Sequence, residues 1–153
     1  MLFYNLKKRI KINEGYCARP YKDQLGYLTI GYGHLIMPGE KKYFHHNYSK
    51  KHFEELFEVD FHKSVRKYNK EFKKKYHTKK DKELLIEMIY QLGSQGVLKF
   101  KKMLFYLNKR QKYMTCLEMM DSLWYKQTPK RVDDLITNFI KWYGRRSFFN
   151  ENE

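Results

Sequence analysis

Three polar side chains that could act together in hydrolysis lie in the first third of the chain: Glu14, Asp23 and Thr29. Eight residues separate the glutamate from the aspartate, and five separate the aspartate from the threonine. Hydrolysis of a glycosidic bond requires two carboxyl groups held apart across a cleft, because one donates a proton to the leaving oxygen and the other activates water or attacks the sugar. Such a spacing also arises by chance, so its meaning depends on the helices and strands that hold these residues.

A helix, a turn and a short strand are predicted around these residues. Apolar residues at helical spacing predict a first helix over about residues 2–13, which places Glu14 at its C-terminal end. Alternation over residues 27–32 predicts a strand in which Thr29 shares its face with a glycine, leaving room for a ligand beside the hydroxyl. Asp23 falls in the connection before this strand, and connections often carry functional residues.

The rest of the chain is predicted to be helical. Ser49 is a suitable N-cap, and the apolar face that follows it predicts a long helix over about residues 50–72. Thr128 and Pro129 have the types preferred at an N-cap and a first helical position, so they predict the start of the last helix. Three apolar stripes mark helices in the C-terminal half: Leu84, Leu85, Met88, Ile89 and Leu92, closed by Gly93; Met114, Leu117 and Met120; and Val132, Leu135, Ile136, Phe139, Ile140 and Tyr143.

These elements predict one α+β domain that is mostly helical. A small β lobe, about residues 15–48, is joined by the long helix of residues 50–72 to an all-helical lobe. That lobe is expected to comprise residues 73–146 together with the first helix. A chain of 153 residues is long enough to bury a core of this kind.

The charge of the chain narrows the range of partners. There are 32 Lys and Arg against 17 Asp and Glu, a formal net charge of +15, which favours nucleic acid, an anionic membrane surface or the bacterial envelope. No recognisable nucleic-acid motif accompanies the charge, so a specific nucleic-acid partner is not expected. Residues 66–82 carry nine Lys and Arg against two acidic residues. This stretch is either a solvated surface or a region attracted to an anionic envelope.

Several classes of site and of targeting signal are not predicted. No apolar run approaches the ~20 residues of a membrane span, and the N-terminus begins apolar and then turns basic, the reverse of a signal peptide. Cys17 and Cys116 are interpreted as reduced thiols. His45, His46 and His52 lack the carboxylate or cysteine that would complete a metal site, so no metal is expected.

Three blocks of the sequence resemble glycoside hydrolase family 24, which contains the phage lysozymes of the T-even type. Residues 14–34 resemble the catalytic signature of that family, residues 88–100 its central helix and the following turn, and residues 124–131 the segment that opens its last long helix. The blocks occur in the family's order over about residues 3–143. The resemblance implies a lysozyme-like fold with the cleft between the two lobes.

The resemblance also implies a role for each residue of the first block. Glu14 would be the general acid, Asp23 its ionised partner, and Thr29 the group that holds the attacking water, in an inverting reaction without a metal or organic cofactor. The alternative for Asp23 is a turn aspartate bonded to nearby backbone. The alternative for Thr29 is a β-branched residue suited to a strand.

Substrate-binding positions follow from the resemblance as well. Leu35, Tyr90 and Gln91 match cleft-lining positions of the family, where a sugar could stack on Tyr90 and amide groups could meet Gln91. Core packing is an alternative for Tyr90. Trp124 falls near the cleft and is interpreted as a core anchor.

Two ionic links between lobes are considered. The resemblance pairs His34 with Asp60 on the long helix, as a structural contact. A second link departs from the family, which often has an acidic residue where this chain has Asn13 and a basic residue where it has Asp134. Both ends of that pair have changed.

The sequence is therefore interpreted as an endolysin-type muramidase. It would hydrolyse the β-1,4 bond between N-acetylmuramic acid and N-acetylglucosamine in bacterial peptidoglycan, as a monomer, during phage-induced lysis. It would accumulate in the host bacterial cytoplasm and reach the wall through holin-type lesions, or travel with the virion. The alternatives are a catalytically silent wall-binding module with the lysozyme fold and a basic nucleic-acid-binding protein.

Overall fold

The computed structural model describes residues 3–23 and 26–141, and its elements follow the predicted order. The first helix and the strands are α1 (Tyr4–Glu14), β1 (Cys17–Lys22), β2 (Leu28–Gly31) and β3 (His34–Leu35). The remaining helices are α2 (Lys42–His45), α3 (Lys50–Lys67), α4 (Lys79–Leu98), α5 (Lys101–Asn108), α6 (Lys112–Met120), α7 (Leu123–Gln127) and α8 (Pro129–Ile140). The α+β class is confirmed, and the predicted end of the helical lobe near residue 146 lies outside the described residues.

The three strands form one antiparallel sheet in the order β1-β2-β3. Thr29 lies in its central strand, opposite Tyr21 on β1 and Leu35 on β3. The open space predicted on the glycine's side of the strand is occupied, because a Cβ added at Gly31 would lie 2.8 Å from Cδ1 of Phe53. Helix α3 therefore covers this part of the sheet, and Thr29 is only 4% exposed.

The long helix that follows the sheet matches its predicted extent. Ser49 caps α3, its hydroxyl accepting a hydrogen bond from the His52 backbone N–H at 3.2 Å. Phenylalanines at helical spacing are buried along one face. Beyond Lys67 the chain continues as a wider π-helical segment, Tyr68–Phe72. The helical conformation therefore ends at Phe72, the end that the apolar stripe predicted.

Helix α4 passes through the centre of the fold and bends at Gly93. Leu84, Leu85, Met88 and Ile89 are buried as predicted. A capping box between Thr78 and Asp81 fixes the start of the helix. Gly93 has φ +71° and ψ 160°, which interrupts the helical backbone at the predicted point.

Helix α6 turns the opposite face to the core from the one predicted. Thr115, Cys116 and Met119 are buried, whereas Met114, Leu117 and Met120 are exposed. Thr115 tolerates burial because its hydroxyl donates to the Gln111 carbonyl at 2.9 Å. Apolar residues lie on both sides of this helix, so periodicity alone could not select the buried one.

The last helix begins at the predicted proline, with a different role for the residue before it. Thr128 occupies the N-cap position of α8, but its hydroxyl donates to the Trp124 carbonyl at 3.1 Å and makes no cap hydrogen bond. Val132, Leu135 and Phe139 are buried. Tyr143, predicted on the same stripe, lies outside the described residues. None of the helices in the described part of the chain is long and apolar enough to cross a membrane.

Candidate active site

Glu14 is the last residue of α1, at the junction between the helices and the sheet. The helix ends there because Gly15 has φ +72° and leaves the helical conformation. The Glu14 side chain is 16% exposed, and its Oε1 accepts a hydrogen bond from an Arg131 terminal nitrogen at 2.6 Å. The carboxylate is therefore anchored to α8, an element distant from it in the sequence.

The other side of the Glu14 carboxylate lies against the turn between β2 and β3. A Cβ added at Gly33 would lie 2.6 Å from Glu14 Oε2, which is closer than carbon and oxygen approach without a bond. Gly33 also has φ +78°, a conformation that glycine adopts without strain. A side chain at this position would therefore strain the backbone and require the Glu14 carboxylate to move.

Asp23 lies in the turn between β1 and β2, where the backbone orients it. Its Oδ1 accepts a hydrogen bond from the Tyr27 backbone N–H at 2.8 Å, and its own carbonyl accepts one from the Gly26 N–H at 3.0 Å. The turn interpretation of Asp23 thus describes its geometry. A carboxylate has two oxygens and several acceptor positions, so this bond is compatible with a second role in catalysis.

The Thr29 hydroxyl is also engaged by the backbone. It donates to the Tyr27 carbonyl at 3.1 Å, so Thr29 and Asp23 bind the same residue of the turn. The hydroxyl oxygen retains acceptor capacity, through which a water could donate to it. Its catalytic role remains a prediction from the resemblance.

Tyr21 lies on β1 opposite Thr29, and sequence reasoning did not single it out. Burial, followed by the charges of Glu14, Cys17 and Asp23, raises the pKa of the Tyr21 phenol. Tyr21 could have been noticed only from its pairing with Thr29, and the sequence alone does not show the strand register that creates this pairing.

Comparison with known proteins identifies the family. The sequence profile of the family described as Phage lysozyme matches residues 11–138. The chain is 32% identical over 160 residues to probable T4-type lysozyme 2 of Dictyostelium discoideum, covering 88% of this chain and 93% of that protein. Probable T4-type lysozyme 1 of the same organism is 30% identical over 157 residues, covering 87% of this chain and 92% of the relative. The chain belongs to the phage lysozyme family.

As a lysozyme, the protein is a glycoside hydrolase of the muramidase type that acts on peptidoglycan. The matched range contains all three residues of the proposed catalytic set and the three of the proposed substrate-binding set. It also contains Arg131, which sequence reasoning had noted only as part of the third block. A single sequence gives no sign that this arginine would reach Glu14 from 117 positions away.

The substrate-binding candidates of this lysozyme have different surroundings. Leu35 is 46% exposed at the end of β3. Tyr90 is partly buried with its ring against Phe57, and its hydroxyl donates to the Tyr32 carbonyl at 2.8 Å, so it ties α4 to the β2–β3 turn. Burial and the nearby charges of Asp60 and Glu14 raise the pKa of its phenol. The packing interpretation therefore accounts for much of Tyr90, and sugar stacking stays a prediction.

Gln91 is held by the tryptophan that was interpreted as a core anchor. The Trp124 indole N–H donates to Gln91 Oε1 at 3.1 Å, and Trp124 is 5% exposed. Because the side-chain oxygen is engaged, the amide nitrogen of Gln91 is the group that could donate to a ligand.

The predicted pair between His34 and Asp60 is present and is extended by a second carboxylate. His34 Nδ1 lies 2.6 Å from Asp60 Oδ2, and His34 Nε2 lies 2.9 Å from Glu40 Oε2. Burial alone would lower the pKa of His34, but the hydrogen bonds to Asp60 and Glu40 outweigh it and raise the pKa. The link joins β3, the loop before α2 and helix α3.

The departure at Asn13 is accompanied by a new contact. The Asn13 side-chain amide donates to Glu87 Oε1 at 3.1 Å, while Arg9 Nε donates to Glu87 Oε2 at 2.7 Å. Asp134 lines an open pocket of about 490 Å³ that Asn13 also borders. Asn13, which precedes Glu14 in the chain, is therefore tied to α4, and positions 13 and 134 do not carry the ion pair that the resemblance implies for relatives.

In the part of the chain that the structure describes, no group of three His, Cys, Asp or Glu side chains is placed to hold a metal ion. Cys17 and Cys116 are both free thiols.

Proposed function

We propose that this lysozyme hydrolyses the β-1,4 bond between N-acetylmuramic acid and N-acetylglucosamine with Glu14 as general acid. The observation that carries the proposal is the position of the Glu14 carboxylate, held between Arg131 of α8 and the backbone of Gly33 where the helices meet the sheet. Asp23 would serve as the base or electrostatic partner, and Thr29 would position the water.

The reaction follows from these roles. Glu14 gives its proton to the glycosidic oxygen as the C1–O bond breaks, and water attacks C1 from the opposite face while Asp23 accepts the proton of that water. The configuration at C1 is therefore inverted. Glu14 is left as a carboxylate, and the Arg131 guanidinium stabilises that product charge by a charge-assisted hydrogen bond.

Replacement of Glu14 tests the proposal. Glu14→Gln keeps the size of the side chain and an oxygen that can accept from Arg131, but an amide cannot donate the required proton. We expect release of reducing ends from purified peptidoglycan to fall by roughly 10²–10⁴-fold, the usual contribution of a general acid. NMR of the first product should show the inverted anomer with the unaltered protein. A variant that keeps more than about a tenth of the activity would exclude Glu14 as the acid.

The same variants separate an enzyme from a silent wall-binding module. A silent module would sediment with peptidoglycan and release no reducing ends, both before and after replacement of Glu14. The unaltered protein is expected to release them, and Glu14→Gln is expected to bind the wall without cleaving it.

We further propose that the biological role is lysis of a bacterial host by a phage. The family match supports this role, and the basic surplus of the chain would favour the anionic envelope. The protein would act as a monomer, reaching the wall from the bacterial cytoplasm through holin-type lesions. Expression in bacteria should then lower culture turbidity only together with a holin. Lysis without one would contradict this route, and detection of the protein in purified virions would favour the virion-bound alternative.

A further inference from the structure

The turn between β2 and β3, which packs on the Glu14 carboxylate, is not fixed by its own backbone. Glycines with φ +66° and +78°, Gly31 and Gly33, lie on either side of Tyr32. Glycine adopts positive and negative φ about equally well, so the local sequence leaves the position of Gly33 open. The close approach of Gly33 to Glu14 Oε2 therefore depends on contacts that other elements make with the turn.

Two such contacts are made through Tyr32. Its hydroxyl donates to Glu54 Oε1 on α3 at 2.6 Å, and its ring packs edge-on against Phe57, with ring centroids 5.9 Å apart. These contacts fix the side chain of Tyr32 to α3. Its carbonyl, which belongs to the peptide group shared with Gly33, accepts a hydrogen bond from the Tyr90 hydroxyl on α4 at 2.8 Å.

The Tyr90 side chain is itself held in place. Its ring lies 5.6 Å from the ring of Phe57, measured between centroids, and Phe57 is only 2% exposed. The rings of Tyr32 and Tyr90 thus pack on the same buried phenylalanine. Because the ring of Tyr90 is confined in this way, its hydroxyl has a defined position from which to bind the turn.

We propose that the Tyr90 hydroxyl is a positioning group for the catalytic acid. By binding the Tyr32 carbonyl it holds the next residue, Gly33, against one oxygen of Glu14, while Arg131 binds the other oxygen. This inference rests on the proposed role of Glu14 as the acid. It differs from the sugar stacking predicted for Tyr90, because stacking requires the ring and positioning requires the hydroxyl.

The variant Tyr90→Phe tests the proposal, since it keeps the ring and removes the hydrogen bond to the turn. A soluble peptidoglycan oligosaccharide is the substrate, so that kcat and KM are measured separately. Loss of the contact lets the turn move away from Glu14, and a misplaced catalytic group lowers the rate of the chemical step. We expect kcat to fall by roughly tenfold while KM stays within about twofold of its original value.

Tyr68→Phe is the matched control, because it also removes one phenol hydroxyl from a hydrogen bond inside the protein. The Tyr68 hydroxyl lies 3.0 Å from His77 Nδ1, and Tyr68 is 2% exposed in the π-helical segment after α3. This variant should lower stability and leave kcat unchanged. Circular dichroism verifies that both variants are folded at the assay temperature. An equal loss of kcat in the two variants would mean general loosening of the fold and overturns the proposal.

A second background tests whether Tyr90 acts through the contact with Glu14. Glu14→Asp withdraws the carboxyl from Gly33 by one methylene, so the support of the turn should matter less there. Adding Tyr90→Phe to Glu14→Asp should lower kcat by less than about threefold, because groups that act through one contact are not additive. A further loss as large as that in the parent would show that Tyr90 acts independently of Glu14.

The remaining outcomes separate this inference from the proposed function. A Tyr90→Phe variant with a raised KM and an unchanged kcat would assign the hydroxyl to substrate binding and overturn the positioning role. If Glu14→Gln remains active, the assignment of the acid is wrong and the inference fails with it. If Glu14→Gln is inactive and Tyr90→Phe is as active as the parent, the assignment of the acid stands and only the inference fails.

Discussion

At the scale of single residues, the contacts of Glu14 come from three different elements. Arg131 binds the carboxylate from α8, Gly33 packs on it from the β2–β3 turn, and Gly15 ends the helix that carries it. A general acid must be held at a fixed distance from the bond it cleaves, since small displacements of a catalytic group cost large factors in rate. A Cβ at Gly33 would require the carboxylate to move, so this packing helps to fix its position.

Substitution of Gly33 tests this packing. In Gly33→Ala the new methyl group would meet Glu14 Oε2 and would also require a left-handed backbone at a non-glycine residue. We expect a loss of about 1–2 kcal/mol in the free energy of unfolding from the backbone alone. Displacement of the carboxylate should reduce activity on peptidoglycan more than tenfold, by about the amount that misplacing a catalytic group costs.

Gly39→Ala is the matched control for that substitution. No atom lies within 4 Å of a Cβ built at Gly39, so stability and activity should change little. Urea unfolding and the release of reducing ends measure the two quantities. Equal activity in Gly33→Ala and Gly39→Ala would show that the turn does not position Glu14.

The catalytic candidates could be found from the sequence because their types and spacing match a family signature. The residues that contact them from other elements could not be found in this way. Arg131 contacts Glu14, and Glu87 contacts Asn13, through tertiary packing, and Tyr21 lies opposite Thr29 through strand register, which a single sequence does not encode locally. Asn13 was noted from the resemblance as a departure from the family's pattern. Its new partner, Glu87, was not found because a glutamate within an apolar helical stripe has no local feature that reveals an arginine on another helix.

At the scale of elements, the predictions succeeded where a local rule determines the structure. The start of α3 at the Ser49 cap and the bend of α4 at Gly93 depend on backbone chemistry within a few residues. The prediction of which face of α6 is buried was wrong, because Met114 and Leu117 are as apolar as the residues that are buried. Which stripe of a helix faces the core depends on the helices that pack against it, and that information is not local.

The link between β3 and α3 gives an element-scale prediction about pH. The raised pKa of His34 means that its contribution to stability is complete below the unfolded value of about 6.5 and is lost as pH rises through the folded value. Burial alone would raise the pKa of Asp60, but the hydrogen bond to His34 and the charge of His34 lower it. The contribution of Asp60 to stability is therefore present above about pH 4 and is lost as pH falls through the folded value. The pair should therefore stabilise the fold most between about pH 4.5 and 6.5.

Replacement of His34 by Gln measures this contribution. We expect the variant to lose about 1–2 kcal/mol in the free energy of unfolding near pH 5.5, where a charged hydrogen bond is removed, and distinctly less near pH 8.5. His62→Gln on the exposed side of α3 is the control and should have little effect at either pH. A loss that is equal at the two pH values would mean that packing, and not the ionic link, accounts for the effect of His34.

At the scale of the whole molecule, the dominant property is the net charge of +15. The basic stretch of residues 66–82 spans the end of the long helical course and the start of α4, and most of its side chains are exposed. Lys80 differs from the others, since it is 8% exposed, so it does not belong to the solvated face. The charge available for long-range attraction is therefore carried by the exposed members, among them Lys73, Lys74 and Lys75.

These three lysines test whether the basic stretch assists access to the wall. Exposed charges are screened over about 8–10 Å at 0.1–0.15 M salt, so lysis of permeabilised cells should fall steeply as ionic strength rises. Cleavage of a short uncharged oligosaccharide should change little, because the proposed acid and base act within the cleft. The triple Lys→Gln variant at positions 73, 74 and 75 should lower whole-cell lysis at low salt and leave cleavage of the oligosaccharide unaltered.

The matched control removes the same charge from another exposed site, at Lys99, Lys101 and Lys102. If the local basic stretch guides the enzyme to the wall, the first variant slows whole-cell lysis more than the control. If the two variants slow it equally, the net charge of the molecule is responsible and the stretch has no special part. Lysis that is independent of salt, with both variants as active as the parent, would show that binding to the wall depends on contacts in the cleft and not on the surface charge.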